Sequence, residues 1–272
     1  MAAYPPFEVC VVKEAPPYVP GHQLLAGKSV LITAAAGAGI GFAAAKKSAE
    51  EGCRALMISD IHPRRLEEAV AKLKADTGLQ NVWGQLCNVT NEEEVQALVA
   101  AAEDRLGGVD VLINNAGLGG EKRVAEMTDE EWSRVLDITL TGTFRMTRAM
   151  LPHMEGRGRG AIVNNASVLG WRAQKGQAHY AAAKAGVMAL TRCSALEAAE
   201  HGVRINAVSP SIALHEFLKK ASSEELLARL ASREAFGRAA EVWEVANVMV
   251  FLASDYASYM TGEVLSVSSQ HA

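Results

Sequence analysis

Short runs rich in β-branched residues alternate along this chain with alanine-rich stretches whose apolar positions recur at helical spacing. Runs near 28–33, 54–59, 82–87, 109–114, 161–166, 203–208 and 263–267 predict seven strands, with helices between most of them. Connections long enough to hold a helix join parallel strands and cover both faces of the sheet. The pattern therefore predicts an α/β fold, a doubly wound three-layer sandwich around a mainly parallel seven-stranded sheet. In such sheets ligands bind beyond the carboxyl ends of the strands, where Asp60, Asn88, Asn115, Ser167 and Pro210 fall.

Residues 1–26, with Pro5, Pro6, Pro16, Pro17 and Pro20, precede the first strand run and read as an extended arm. Residues 27–272 read as one domain, since 272 residues at 49% hydrophobic content can bury a single large core. A net charge of −4 gives no electrostatic case for nucleic acid or an anionic membrane surface, which leaves small-molecule partners. No stretch is long and apolar enough to span a bilayer and no basic-then-apolar leader opens the chain, so a cytoplasmic protein is expected. Cys10, Cys53, Cys87 and Cys193 lack Cys-x-x-Cys spacing, so neither a metal site nor a disulfide framework is expected.

Candidate chemistry begins at Thr33-Ala34-Ala35-Ala36-Gly37-Ala38-Gly39-Ile40-Gly41, which leads from a strand into a helix. Small residues let the backbone approach a pyrophosphate at the helix N-terminus, so Gly37, Ala38, Gly39 and Ile40 are candidate cofactor contacts. Asp60, about twenty positions on and at the end of the second strand run, could bond both adenosine ribose hydroxyls and would repel a 2′-phosphate. That favours NAD over NADP; Arg64 and Arg65 read as a solvated first helical turn, with a reach back to a phosphate as the alternative. Farther along stand Ser167, Tyr180 and Lys184. Tyr180 and Lys184 share one helix face, and an ammonium beside a phenol is expected to lower its pKa toward working pH. Hydroxyls of Ser167 and Tyr180 gripping one carbonyl oxygen would polarise it for hydride attack, and in the other direction a phenolate would take the alcohol proton.

From about residue 27 onward the chain resembles the short-chain dehydrogenase/reductase family, whose fold is Rossmann-like. The resemblance rests on Asn114-Asn115-Ala116-Gly117, on Ser167 thirteen residues before Tyr180-Ala181-Ala182-Ala183-Lys184, and on Arg204-Ile205-Asn206-Ala207-Val208 leading to Pro210. Phe251-Leu252-Ala253-Ser254 followed by Thr261-Gly262 completes it. The resemblance implies that Tyr180 and Lys184 also hold the nicotinamide ribose. By the same resemblance Asn115, Ala116 and Gly117 line the adenosine side, Asn88 and Val89 border the adenine, and Pro210 to Ala213 meet the nicotinamide carboxamide. Three departures stand out. The glycine turn is one residue longer than the family's, Asn88 replaces an aspartate, and Thr139 stands where a catalytic asparagine is expected.

Substrate identity falls to three loops: Leu118–Gly120, Val168–Gln177 and a lid within 211–236. Trp171 offers an apolar wall, while Arg172, Lys175, Lys219 and Lys220 would suit an anionic substrate such as an acyl-CoA; His179 and His215 lie near the site in sequence. Asn164-Asn165-Ala166-Ser167-Val168-Leu169-Gly170-Trp171, with the alanine-rich turn, resembles an actinobacterial branch oxidising CoA-linked intermediates of steroid ring C/D breakdown. An NADPH-dependent 3-oxoacyl-thioester reductase is the alternative; a sugar or small-alcohol dehydrogenase and an inactive cofactor-binding sensor are further readings. The resemblance also implies a homo-tetramer.

Overall fold

The computed structural model describes residues 16–214 and 224–269. Its seven-stranded sheet has the order β3-β2-β1-β4-β5-β6-β9, every neighbouring pair parallel. The strands are β1 (Ser29–Ile32), β2 (Ala55–Asp60), β3 (Val82–Leu86), β4 (Val111–Asn114), β5 (Gly160–Asn165), β6 (Val203–Pro210) and β9 (Val264–Val267). Helices α1 (Ile40–Glu50), α2 (Pro63–Thr77), α3 (Glu92–Leu106), α4 (Asp129–Leu136), α5 (Gly142–Gly156), α6 (Ala178–Ala199), α7 (Glu224–Ala231) and α8 (Val242–Ala253) accompany it.

Strand alternation sorts the core into two layers. Val30, Ile32, Leu56, Ile58, Val111, Ile113 and Val163 pack on the side of α1, α2 and α8. Leu31, Met57, Leu112, Ile162 and Ile205 pack on the side of α3, α5 and α6. Because both faces are covered, strand runs such as Ser29–Ile32 are buried throughout and read as continuous rather than alternating. The helices start and stop on local chemistry. Pro63 opens α2 and Gly78, at φ 75°, closes it; the Asn91 side chain caps α3; Thr128 and Glu131 form a reciprocal capping box on α4.

The chain winds outward from β1 to β3, then returns across β1 to β4, so a crevice opens beyond the carboxyl ends of β1 and β4. Two short strands, β7 (Ala213–Leu214) and β8 (Ala240–Glu241), pair in parallel beside it. They join the two ends of the segment expected to form the lid; Lys219, Lys220 and His215 lie outside the described residues. Within the arm, residues 16–22 have no regular structure and pack on α1. Glu51 Oε2 accepts from the His22 and Leu24 amides at 2.7 and 3.0 Å, and Lys47 Nζ donates to the Val19 carbonyl at 2.6 Å. Tyr18 donates to Glu50 and sets its ring edge-on to Trp243, centroids 5.3 Å apart. No helix among the described residues is long and apolar enough to cross a membrane.

Candidate active site

The glycine turn closes onto the carboxyl ends of β2 and β4. The Ala35 amide donates to the Ser59 carbonyl and the Ala36 amide to Asp60 Oδ2, at 3.0 and 3.2 Å. Ala34 has φ 51°, a left-handed conformation, and Asn115 Nδ2 donates to the Thr33 and Ala34 carbonyls at 3.2 and 3.0 Å. Thr33 Oγ1 in turn accepts from the Asn115 and Ala116 amides. A Cβ on Gly41 would stand 2.4 Å from Asn115 Nδ2 and 2.6 Å from the Ala34 carbonyl, so only glycine fits there. Gly39 at the N-cap of α1 brings no capping side chain, which leaves the first-turn amides and the dipole open to an anion. These residues fit a dinucleotide pyrophosphate.

Asp60 is nearly buried, and its Oδ1 accepts from the His62 amide at 3.1 Å. Burial raises its pKa above the usual carboxylate value, while the Ala36 amide, Arg65 and the Ile61 amide oppose the rise. Arg65 is exposed, as its reading as a solvated residue has it, and its Nη2 comes within 3.7 Å of Asp60 Oδ1; Arg64 faces Glu68. One helical turn carries α2 far enough over the strand end for a long guanidinium to fold back. Asn88 is exposed, and its Oδ1 accepts from both the Thr90 amide and hydroxyl in a local turn. Val89 is buried against the start of α5 at Gly142.

Ser167, at the end of β5, and Tyr180 and Lys184, on α6, come together. The Ser167 side chain stands beside the Tyr180 phenol, and Lys184 Nζ lies 5.5 Å from the Tyr180 ring centroid and donates to the Asn165 carbonyl at 2.5 Å. Burial dominates the electrostatics. It pushes the Tyr180 phenol up to about 12, against the opposing effect of Ser167, and pushes the Lys184 ammonium down to about 8. The expectation that Lys184 lowers the phenol is therefore corrected: the ammonium lies over the ring rather than at the oxygen, and desolvation wins.

Thr139 sits in a π-helical turn, Asp137–Thr141, that joins α4 to α5. Its hydroxyl accepts from the Leu118 amide at 3.0 Å and donates to the Leu118 carbonyl at 3.3 Å, and its own carbonyl accepts from Thr143 Oγ1 at 2.8 Å. One hydroxyl thus holds the loop after Gly117. Gly119 faces the Tyr180 ring and Gly120 faces His179 Nε2. His179 Nδ1 accepts from the Tyr180 amide at 2.9 Å, and the Lys122 amide donates to the Gly176 carbonyl, tying the chain just past Leu118–Gly120 to the Val168–Gln177 loop. Trp171 is half-exposed at their rim, and Pro210 and Ala213 are buried where β6 leaves the sheet.

Sequence reasoning passed over a buried amide chain. Asn114 Nδ2 donates to Thr147 Oγ1 and to Asn164 Oδ1, and Asn164 Nδ2 donates to Thr191 Oγ1. Adjacent asparagines at two neighbouring strand ends are the signal that could have shown it. A cavity of about 450 Å³ lies at the opposite, amino edge of the sheet, but its Lys28 pairs with Asp255 and its Arg159 with Asp110, which leaves no chemistry there. No group of acidic, histidine or cysteine side chains able to hold a metal occurs among the described residues.

A family model described as Enoyl-(Acyl carrier protein) reductase matches residues 34–269. The chain belongs to the short-chain dehydrogenase/reductase family. This short-chain dehydrogenase/reductase is 62% identical to the (5R,7aS)-5-hydroxy-7a-methyl-1-oxo-2,3,5,6,7,7a-hexahydro-1H-indene-carboxyl-CoA reductase of Mycobacterium tuberculosis, over 94% of this chain and 98% of that one. A crystal structure of a short chain dehydrogenase from Mycobacterium smegmatis is 57% identical, with a TM-score of 0.85 over 96% of this chain and all of that one. A 3-oxoacyl-(acyl-carrier-protein) reductase from Vibrio cholerae is 39% identical over 90% of this chain and 97% of its own. The chain is accordingly an oxidoreductase of the NAD(P)-binding kind.

Proposed function

We propose that the protein is an NAD(H)-dependent oxidoreductase that interconverts a secondary alcohol and a ketone on an acyl-CoA carrying a bicyclic, indane-type ring system, of the kind left by steroid rings C and D. The observation that carries the substrate is the 62% identity, over nearly all of both chains, to a reductase named for a hexahydroindene-carboxyl-CoA. The reaction class rests on geometry: two hydroxyls, Ser167 and Tyr180, converge on one point beside a buried ammonium.

A nicotinamide dinucleotide held at the first turn of α1 and by Asp60 would supply or accept the hydride. Ser167 and Tyr180 hold the substrate oxygen. In reduction the Tyr180 phenol donates its proton as the oxygen gains charge, and in oxidation the deprotonated phenol takes the proton from the alcohol. Lys184, fixed by the Asn165 carbonyl, keeps a positive charge over the ring. Thr139 holds the Leu118 backbone and with it one wall of the substrate pocket. Half-exposed Trp171 gives that pocket an apolar rim suited to fused rings. A homo-tetramer would pair long helices between subunits, and Phe144 on α5 and Leu196 on α6 are exposed on two of them.

Asp60 supports NAD over NADP, because a carboxylate already holding two amides stands where the adenosine ribose hydroxyls would lie. Arg65 beside it is the feature that favours the second reading, an NADPH-dependent 3-oxoacyl-thioester reductase like the Vibrio relative. Binding of NAD(H) and NADP(H) to the wild type and to Asp60→Ala separates the two. The expected result is clear NAD(H) preference that weakens about tenfold or more in the variant; NADP(H) preference in the wild type would overturn it. Turnover of a hydroxylated indane-type acyl-CoA with NAD, against acetoacetyl-CoA with NADPH, tests the substrate directly.

The Lys184 ammonium gives a pH signature. With its pKa pushed down to about 8, it loses charge as pH rises past that value, whereas the phenol keeps its proton. In the ketone-reducing direction kcat/KM of the free enzyme is expected to fall above pH about 8. Lys184→Arg cannot titrate in that range, so its profile should lose the falling limb even at a lower rate; a limb that persists in the variant belongs to another group.

A further inference from the structure

Helix α6 begins at Ala178 with Gln177 as its N-cap, and the Gln177 side chain makes no capping bond. The first amides of a helix have no partner within it, and the third of them here belongs to Tyr180. Its partner is the ring of the residue before it, since His179 Nδ1 accepts from the Tyr180 amide at 2.9 Å. The residue that brings the reacting hydroxyl is therefore held at its backbone by its own neighbour.

That bond sets the state of the ring. An imidazole nitrogen accepts only when it carries no hydrogen, so the ring hydrogen stands on Nε2. Nε2 faces the Leu118–Gly120 loop, where a Cβ on Gly120 would stand 3.4 Å from it. One residue earlier, a Cβ on Gly119 would stand 3.9 Å from Tyr180 Cδ2 and Cε2. Two adjacent rings thus lie against two adjacent glycines of a loop whose Leu118 is held by Thr139 Oγ1. The His179 ring is only 3% exposed, so a side chain of similar shape without the acceptor would exclude water and leave the amide unpaired.

We infer that His179 is a positioning residue for proton transfer: its Nδ1 stands in for the missing side-chain cap and fixes the start of α6, and with it the place of the Tyr180 hydroxyl, against the Leu118–Gly120 loop. This rests on the role proposed for Tyr180. Ser167 follows β5 while Tyr180 belongs to α6, so the two hydroxyls can hold one substrate oxygen only while the start of the helix keeps its place relative to the strand. A misplacement of about 1 Å is enough to cost about 10²-fold in rate.

The experiment compares kcat, KM and dinucleotide affinity of the wild type, His179→Asn, His179→Gln and His179→Phe, on a hydroxylated indane-type acyl-CoA with NAD and on acetoacetyl-CoA with NADPH, using whichever pair the wild type turns over. Asparagine places its oxygen where Nδ1 stands, glutamine places its amide where Nε2 stands, and phenylalanine keeps a ring without either nitrogen. Expected is a kcat about tenfold or more lower in His179→Gln and His179→Phe, with KM and dinucleotide affinity within about twofold of wild type, and recovery of most of that rate in His179→Asn. Equal rates in His179→Asn and His179→Gln overturn the inference, as does wild-type kcat in His179→Phe, and in either case the role of Tyr180 stands. A loss that falls on KM or dinucleotide affinity instead of kcat also overturns it, since a histidine that serves packing alone would loosen the whole site. Where His179→Phe fails to fold, the comparison of His179→Asn with His179→Gln decides. A wild type inactive on both pairs overturns the proposed function and the inference together.

Discussion

Tyr180→Phe is expected to reduce turnover by about 10²–10⁴-fold in either direction while dinucleotide affinity changes by about twofold or less. The substitution removes one oxygen and keeps the ring, so the packing against Lys184 and Gly119 survives. What goes is the proton that the substrate oxygen must gain or lose, together with one of the two donors that hold it. Ser167 remains and can still polarise a carbonyl, so the residual rate measures positioning and hydride transfer without acid catalysis. Steady-state rates on the indane-type acyl-CoA, with cofactor affinity measured separately, decide the matter. A variant that turns over at near wild-type rate would remove the tyrosine from the mechanism.

The largest expected effect on stability lies far from the chemistry. Lys47 and Glu51 on α1 form an ion pair at 3.5 Å with side chains only 3% and 2% exposed. Lys47→Met leaves the Glu51 carboxylate buried without its countercharge and deprives the Val19 carbonyl of a donor. Breaking a buried pair from one side costs about 3–5 kcal/mol, because the surviving charge remains desolvated. Adding Glu51→Gln should restore most of that loss, since a neutral amide oxygen still accepts from the His22 and Leu24 amides. Chemical denaturation of the single and double variants tests this. A single variant within about 1 kcal/mol of wild type would mean that water reaches the pair.

The sheet was legible chiefly from its inner strands, since β1, β2 and β4 are nearly continuous apolar runs, whereas β3 and β6 carry polar residues within them; β2 and β5 fall within one residue of the expected bounds. The order of chemistry along the chain was legible as well, since Ser167, Tyr180 and Lys184 do converge. Features that depend on neighbours distant in sequence were not. The two-residue strands β7 and β8 carry no periodicity to read. Nothing in Leu136-Asp137-Ile138-Thr139-Leu140 marks a π turn, which packs against α6, a helix that begins about forty residues farther along the chain. The approach of exposed Arg65 to Asp60 and the local turn in which Thr90 donates to the Asn88 oxygen both depend on how the chain is placed in space. For Tyr180 the sequence supplies the neighbouring charge but not the degree of burial, and burial decides the direction of the shift.

Pairing of Ala213 with Ala240 and of Leu214 with Glu241 draws the two ends of the intervening segment together before that segment meets any substrate. Changing the length of a loop whose ends are already joined is inexpensive, since doubling it adds only about 0.6 kcal/mol of closure entropy. Insertion or exchange between residues 214 and 240 would therefore leave the frame that holds Ser167, Tyr180 and the glycine turn in place, because the β7–β8 pairing closes that segment off from it.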